Sequence, residues 1–260
     1  MLRLEIAARS EVGARRRNED DLRFGQAEAS CYLVLADGAG GHRDGALASR
    51  WVVQTIALQM QALAQAAGQA TPALLSAWVH AAHAALGEQQ LGEVDRERMH
   101  ATVVLLWIDA ADELALWSHV GDSRLYMLRR GRVCHVTHDD TVVQQMLDAG
   151  FLTADEARRH PSKHQLATAL GVTGAVDPHT VDEAQAIEDG DAFLLCSDGW
   201  WETLEASSIE DMFAAASNAA DWLDRMAREV ESAARASQDN FSAVAVWIGD
   251  PAQTTRFGPL

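Results

Sequence analysis

The chain has 260 residues, of which 38 are aspartate or glutamate and 21 are lysine or arginine, so its formal charge at pH 7 is -17. Such a charge disfavours binding to nucleic acid or to an anionic membrane. No stretch approaches the roughly 18 apolar residues of a membrane span, and the first residues lack the apolar core of a signal peptide. The three cysteines lie in apolar, strand-like stretches, as small core residues do in a reducing compartment. We therefore expect a cytoplasmic protein with neither a nucleic acid nor a membrane as its partner.

The first half of the chain predicts strands followed by two helices. The apolar run before Asp37 indicates a buried strand, and it stops where three glycines occur within the next four residues. Apolar residues then recur every three or four positions, as in an amphipathic helix, and Thr71-Pro72 supplies the start signal of a second helix. The predicted elements are strands over 2–8 and 32–36, an arginine-rich loop over 9–17, and helices over 44–67 and about 71–90.

The second half begins with alternating apolar residues, which predict an antiparallel meander with Gly121-Asp122 at one corner. Thr153 with Glu156, and Ser207 with Glu210, have the spacing of helix capping boxes. The predicted elements are strands over 101–108, 113–120, 124–128 and 132–136, a helix over 139–149, an irregular segment over 150–182, a strand over 192–196, helices to about 236 and a last strand over 241–248. Without repeats or linkers, this order favours one α/β domain over 1–250 and a tail over 251–260.

Three aspartates stand at predicted strand boundaries: Asp37, Asp198 and Asp239. A centre with two metal ions needs carboxylates from distant segments, since one short segment cannot surround both ions. Oxygen ligands of this kind suit Mg²⁺ or Mn²⁺. The alternative for Asp37 alone is a polar loop in which the carboxylate caps the following helix.

Two further residues suit phosphate chemistry. Arg15 lies in a basic run that leads into Asn18-Glu19-Asp20, and a guanidinium matches the oxygens of a phosphate group. His42, five residues after Asp37, could protonate a leaving alkoxide at neutral pH. The alternatives are a solvated basic loop and a hydrogen-bonded loop histidine.

Other hydrolase mechanisms lack their residues. The chain has no Gly-x-Ser-x-Gly motif for a serine nucleophile and no Gly-Lys-Ser or Gly-Lys-Thr of a phosphate-binding loop. A cysteine phosphatase needs arginine six positions after its cysteine, where this chain has Asp37, Asp140 and Glu202. Water activated by metal ions is the mechanism that remains.

The chain resembles the metal-dependent serine/threonine protein phosphatases of the protein phosphatase 2C type, in their compact bacterial form. The matching segments, in the family's order, are Arg15 to Asp20, Asp37-Gly-Ala-Gly-Gly-His42 with Gly45, Val120-Gly-Asp-Ser-Arg124 with Tyr126, Leu195-Cys-Ser-Asp-Gly199 and Asp239-Asn240. The resemblance implies an α/β (α+β) four-layer sandwich, with two central, mainly antiparallel β-sheets flanked by α-helices. It places a metal site with two ions at one end of the sandwich.

The resemblance also implies a role for each site residue. Asp37 bridges two Mn²⁺ or Mg²⁺ ions, Asp198 and Asp239 complete the first, the Gly38 carbonyl binds the second, and Asp20 orients the waters of that second ion. Asp122 resembles the ligand of a third, weaker ion, Arg15 the phosphate clamp, and residues 148–180 the mobile flap. The chain departs from the family at Ala39, His100-Ala101-Thr102, Asp140 and Ser242; none of these is a metal ligand.

The resulting hypothesis is dephosphorylation of phosphoserine or phosphothreonine in proteins. Two ions about 4 Å apart lower the pKa of a bridging water that attacks phosphorus in line, Arg15 binds the phosphoryl oxygens, and His42 protonates the leaving oxygen. Expected partners are phosphorylated proteins and a cognate serine/threonine kinase, and we expect a monomer. The end of the chain also resembles phosphatases of type VI secretion systems. The alternatives are a catalytically silent phosphoprotein-binding module and a phosphoesterase of small molecules.

Overall fold

A computed structural model gives the fold of residues 2–39, 45–90, 92, 98–233 and 238–251. Five strands form the first sheet, and every neighbouring pair in it is antiparallel. In sheet order these are β1 (Leu4–Glu11), β12 (Phe241–Ile248), β11 (Ala192–Cys196), β7 (Arg124–Arg129) and β8 (Arg132–Val136).

The second sheet is also antiparallel, and β3 lies between β2 and β5 within it. Its order is β10 (Gln185–Ala186), β6 (Leu114–Val120), β5 (Val103–Asp109), β3 (Ser30–Ala39) and β2 (Asp20–Gln26). Two short strands join it at the side: β4 (His100–Ala101) pairs with β3, and β9 (His179–Thr180) pairs with β6.

In the described ranges, two helices lie between β3 and β4 along the chain, two short ones lie between β8 and β9, and three lie between β11 and β12. They are α1 (Gly45–Gln65), α2 (Pro72–Gln89), α3 (Val142–Asp148), α4 (Ala154–Arg159), α5 (Asp198–Trp201), α6 (Ala206–Ala215) and α7 (Ala219–Ser232). Thr71 caps α2 by accepting a hydrogen bond from the Leu74 N–H, as the sequence predicts. None of the helices in the described ranges has the length and apolar character that a bilayer crossing requires.

Three apolar clusters join these elements into four layers. Leu33, Leu106 and Val244 belong to the central cluster, which fills the space between the two sheets. A second cluster packs α1 and α2 against the outer face of the β2–β3–β5–β6 sheet. A third packs α6 and α7 against the other sheet around Trp222 and Trp247. The predicted four-layer α/β sandwich is therefore confirmed.

The structure corrects three expectations about local structure. The strands after residue 101 are two hairpins in different sheets rather than one meander, because the chain crosses from one sheet to the other between β6 and β7. Ser207 does not open α6: the helix starts at Ala206, and Glu210 instead accepts hydrogen bonds from Arg132 and the Val133 N–H. Cys134 is exposed on edge strand β8 rather than placed in the core.

Candidate metal and phosphate site

Carboxylates from five places in the chain meet at one end of the sandwich. Asp37 lies near the end of β3, and Asp20 is its register partner on β2. Asp198 follows β11 and begins α5, while Asp239 comes two residues before β12. Asp122 occupies the crossover between the sheets. The three aspartates predicted at strand boundaries are thus brought together with Asp20 and Asp122.

Burial and mutual repulsion dominate the electrostatics of this cluster. Burial raises the pKa of Asp37 well above its ordinary value, and the charges of Asp20, Asp198, Asp122 and Asp239 raise it further. The pKa of Asp122 is also raised well above its ordinary value, by burial and then by Asp198 and Asp139. These carboxylates are close enough to disfavour one another's ionisation, so a nearby cation would stabilise their charged forms.

Asp20 has the best-defined surroundings of the cluster. Its Oδ2 accepts a hydrogen bond from the Ser197 hydroxyl at 2.9 Å. Burial raises the pKa of Asp20 to about 7, although hydrogen bonds from Ser242 and Ser197 lower it. The same Ser197 oxygen accepts the Ser242 N–H at 3.0 Å, which ties β11 to β12 at this point.

The residues present fit hard divalent cations. Among the described residues, the buried atoms Asp20 Oδ1 and Asp198 Oδ1 have no hydrogen-bond partner in the protein, although buried carboxylate oxygens ordinarily have one. Carboxylate oxygens are the ligands that Mg²⁺ and Mn²⁺ prefer. Within the described ranges no three His, Cys, Asp or Glu side chains already stand in ligand geometry. The cluster therefore has the donors, while the side chains must adjust to share an ion.

Arg15 lies at the edge of this cluster. Its Nη2 forms an ion pair with Asp239 Oδ2 at 2.6 Å, and 58% of the Arg15 side chain is exposed. The hydrogen bond and the charge of Asp239 raise the pKa of Arg15. A guanidinium that is fixed on one side and exposed on the other is placed to bind an anion arriving from solvent.

Asn240 fixes the loop that carries Arg15. Its Oδ1 accepts the Glu19 N–H at 2.8 Å, while its Nδ2 donates to the Val12 carbonyl at 2.8 Å and the Arg17 carbonyl at 2.9 Å. The same loop packs closely against the Asp239 turn at Gly13, where a Cβ would collide with the Asp239 carbonyl. The Arg15 loop and the Asp239 turn are thereby joined through backbone groups.

Gly38 and Gly45 allow the end of β3 and the start of α1 to pack backbone against backbone. A Cβ on Gly38 would collide with the carbonyl of Gly45 at the start of α1, and the Gly38 N–H donates to the Glu19 carbonyl at 3.1 Å. The predicted catalytic residue His42 lies outside the described residues. A Cβ on Gly45 would in turn collide with the Gly38 carbonyl, the predicted ligand of the second ion.

The crossover loop is tied to Asp37 by a short hydrogen-bonded chain. The Asp37 N–H donates to Thr102 Oγ1 at 3.0 Å, and the Thr102 and Ser123 hydroxyls are hydrogen-bonded at 2.7 Å. Asp140, a departure from the family pattern, accepts the Gly121 N–H through Oδ2 at 2.9 Å. The supporting roles of Ser123 and Asp140 were not predicted, because hydroxyls and single carboxylates give no distinctive sequence pattern.

Residues 148–180, predicted as a flap, contact α5 beside the carboxylates. Lys163 Nζ pairs with Glu202 at 2.8 Å, and His164 Nδ1 lies 3.0 Å from Glu202 and 3.7 Å from Asp198. A cavity of about 630 Å³ separates α4 from α5 and α6, with Trp201 and Lys163 among its lining residues. The contacts of His164 were missed from sequence, since they depend on how this irregular segment folds back.

These features make up a candidate site for metal ions and phosphate at one end of a four-layer α/β sandwich. The family model described as "Protein phosphatase 2C" matches residues 9–250, so the chain belongs to the protein phosphatase 2C family. The serine/threonine protein phosphatase PstP of Mycobacterium tuberculosis (strain H37Rv) is 38% identical over 208 residues, which are 79% of this chain. The chain matches only 38% of the length of that relative.

Solved structures show the same architecture. The catalytic domain of PstP in complex with two manganese ions is 30% identical, with a TM-score of 0.80 over 96% of this chain and 100% of that one. PppA, described as a key regulatory component of the type VI secretion system in Pseudomonas aeruginosa, is 28% identical. Its TM-score is 0.69 over 94% of this chain and 97% of that one.

Proposed function

We propose that this chain is a metal-dependent protein serine/threonine phosphatase. The observation that carries the proposal is a cluster of buried, mutually repelling carboxylates with an exposed arginine at its edge. Bound cations would offset the charge of the carboxylates, and a phosphoryl group would bind the arginine. The activity of PstP and the manganese ions in its catalytic domain support the same reading for a chain of this family.

In this proposal each predicted residue has a defined task. Asp37, Asp198 and Asp239 would hold two Mn²⁺ or Mg²⁺ ions together with the Gly38 carbonyl, Asp20 would orient the waters of the second ion, and Asp122 would hold a third, weaker ion. When bound, the ions supply an acidified water nucleophile and neutralise charge on the phosphoryl group.

The remaining chemistry belongs to the two basic residues. Arg15 would exchange its contact with Asp239 for the phosphoryl oxygens of the substrate, and its planar fork would orient them. His42 would donate a proton to the departing serine or threonine oxygen.

The wider setting is also part of the proposal. Residues 1–250 form a single phosphatase domain in which 148–180 act as the flap, and 251–260 form a tail. The protein works as a cytoplasmic monomer on phosphorylated proteins and opposes a serine/threonine kinase. The likeness to PppA supports a setting in a type VI secretion system, where PppA is a regulatory component.

Hydrolysis of a phosphothreonine peptide, with and without Mn²⁺, tests this proposal. Metal-dependent phosphate release that disappears in Asp239→Ala supports it. Phosphate release that chelation leaves unchanged would refute the metal mechanism, and no release with any metal would favour the silent binding module. Faster turnover of p-nitrophenyl phosphate than of the peptide would favour a small-molecule phosphoesterase.

A further inference from the structure

The crossover residues Gly121, Asp122 and Ser123 are each held by a different part of the protein. Asp140 accepts the Gly121 N–H at 2.9 Å, and the Ser123 hydroxyl is hydrogen-bonded to Thr102 at 2.7 Å. Between them, the indole Nε1–H of Trp201 donates to the backbone carbonyl of Asp122 at 2.8 Å. The carbonyl of Asp122 therefore has a donor that comes from α5, the helix that begins with Asp198.

The ring of Trp201 is held in turn by the guanidinium group of Arg124. The Arg124 guanidinium carbon lies 3.6 Å from the centre of the Trp201 ring, a cation–π geometry. Arg124 is in turn held by a two-point interaction with Asp139, at 2.8 and 2.7 Å, and by the Tyr126 hydroxyl at 3.2 Å. Because Arg124 is fixed by these hydrogen bonds, its stacking on Trp201 fixes the plane of the indole ring and so the direction of the indole N–H.

The position of this hydrogen bond gives it a functional consequence. Asp122 is 4% exposed, and Gly121 before it has φ +97°, so the crossover is a bend whose side-chain direction depends on how its peptide groups are held. Trp201 fixes the carbonyl of the same residue whose carboxylate joins the cluster. Substitution of a residue that orients a metal ligand through a hydrogen bond commonly lowers metal affinity by about 10- to 100-fold.

We propose that Trp201 is a positioning residue for Asp122, which sets the affinity of the weaker, third divalent cation. This inference rests on the proposed function, in which Asp122 is the ligand of that ion. Trp201 does not touch the ion or the substrate. It acts through the Asp122 carbonyl, and the two core ions at Asp37, Asp198 and Asp239 do not depend on it.

The test is a Mn²⁺ titration of the purified full chain, in which electron paramagnetic resonance measures the free ion. Trp201→Phe keeps an aromatic ring under Arg124 but removes the N–H donor together with part of the indole ring. We expect the weakest Mn²⁺ site to lose affinity by about 10-fold or more, with the tighter sites changed by less than about twofold. Phosphate release should then need correspondingly more Mn²⁺, with an unchanged KM for the phosphopeptide.

Trp200→Phe is the matched control, one position earlier in the same helix. Its Nε1 is buried and has no hydrogen-bond partner in the described part of the chain, so the same substitution there removes no bond to Asp122. It should lower thermal stability while leaving the weak site unchanged. Should Trp201→Phe fold poorly, benzothienylalanine placed at residue 201 preserves the tryptophan shape without the N–H and should give the same loss of affinity.

The outcomes separate this inference from the proposed function. Unchanged weak-site affinity in both residue 201 variants, or the absence of a third Mn²⁺ site in the wild type, would overturn the role of Trp201 even if the enzyme is active. Wild-type protein that binds Mn²⁺ but releases no phosphate would overturn the proposed function instead. An equal loss in Trp200→Phe would mean that packing, rather than the N–H, sets the affinity.

Discussion

Replacing Asn240 by aspartate tests the joint between the Arg15 loop and the Asp239 turn. Asparagine and aspartate have nearly the same shape, but aspartate cannot donate the two hydrogen bonds that Asn240 gives to the carbonyls of Val12 and Arg17. Asn240 is only 5% exposed, but the carbonyls of Val12 and Arg17 belong to exposed residues, so water can replace part of what the lost donors gave. Each carbonyl of this partly exposed kind that loses its donor costs about 1 to 2 kcal/mol, the lower part of the range for an acceptor left without a partner.

The two lost bonds together predict a decrease of about 2 to 4 kcal/mol in the free energy of unfolding. In a domain of this size each kcal/mol shifts Tm by about 2 to 4 °C, so we expect Asn240→Asp to unfold roughly 5 to 15 °C lower. Differential scanning calorimetry with and without Mn²⁺ measures this change. Phosphatase activity should fall as well, because the loop that presents Arg15 is released.

Asn218→Asp is the matched control for this chemical change. Asn218 caps α7 by accepting the Asp221 N–H, and aspartate caps a helix about as well as asparagine. Its free energy of unfolding should stay within about 0.5 kcal/mol of the wild type. A Tm for Asn240→Asp within about 2 °C of the wild type would refute the structural role assigned to Asn240.

Three further predictions concern the carboxylates and Arg15. Asp37→Asn should weaken Mn²⁺ binding in calorimetric titration by more than about 100-fold, since a direct ligand matters more than its supporting residues; an affinity like that of the wild type would remove Asp37 from the metal site. Arg15→Lys should raise KM for a phosphopeptide about 10-fold, because an ammonium group lacks the two-point geometry of guanidinium; an unchanged KM would exclude Arg15 as the clamp. The raised pKa of Asp20, about 7 against about 3.9 in an unfolded chain, means that the folded, metal-free protein binds a proton more tightly than the unfolded one. The stability of the metal-free wild type relative to Asp20→Asn should therefore be greatest below about pH 4 and fall as the pH rises towards about 7, as measured by urea unfolding; a constant difference would contradict the burial of this carboxylate.

Local patterns were sufficient to predict most elements of the fold. The predicted helix over 44–67 corresponds to α1, because its apolar period reflects one buried face. The Thr153–Glu156 capping box is present with both of its hydrogen bonds. Signals of this kind lie within a few residues of one another, so the sequence contains them directly.

Pairing between distant strands was harder to predict. The alternation in β6 and β7 indicated strands, but it did not reveal that they belong to different sheets. That assignment depends on the bend at Gly121 and on the choice of β11 as the partner of β7. Similarly, Glu210 has the spacing of a capping residue, but its carboxylate interacts with Arg132 across the sheet–helix interface.

The candidate site divides in the same way. Asp37, Asp198 and Asp239 could be selected because each carboxylate stands at a strand boundary, where the end of a strand fixes its position. The hydrogen bond of Trp201 to Asp122 could not be selected, since it depends on how α5 packs beside the crossover. Sequence reasoning thus favours residues with a local marker and misses residues that support them from another element.

Crystals grown with Mn²⁺ and measured near the manganese absorption edge would test the central claim most directly. We expect two strong anomalous peaks between Asp37, Asp198, Asp239 and the Gly38 carbonyl, with a weaker third peak at Asp122. Anomalous peaks that lie only outside this cluster, or none at all in crystals whose solution contains ample Mn²⁺, would contradict the assignment of these carboxylates as the metal site.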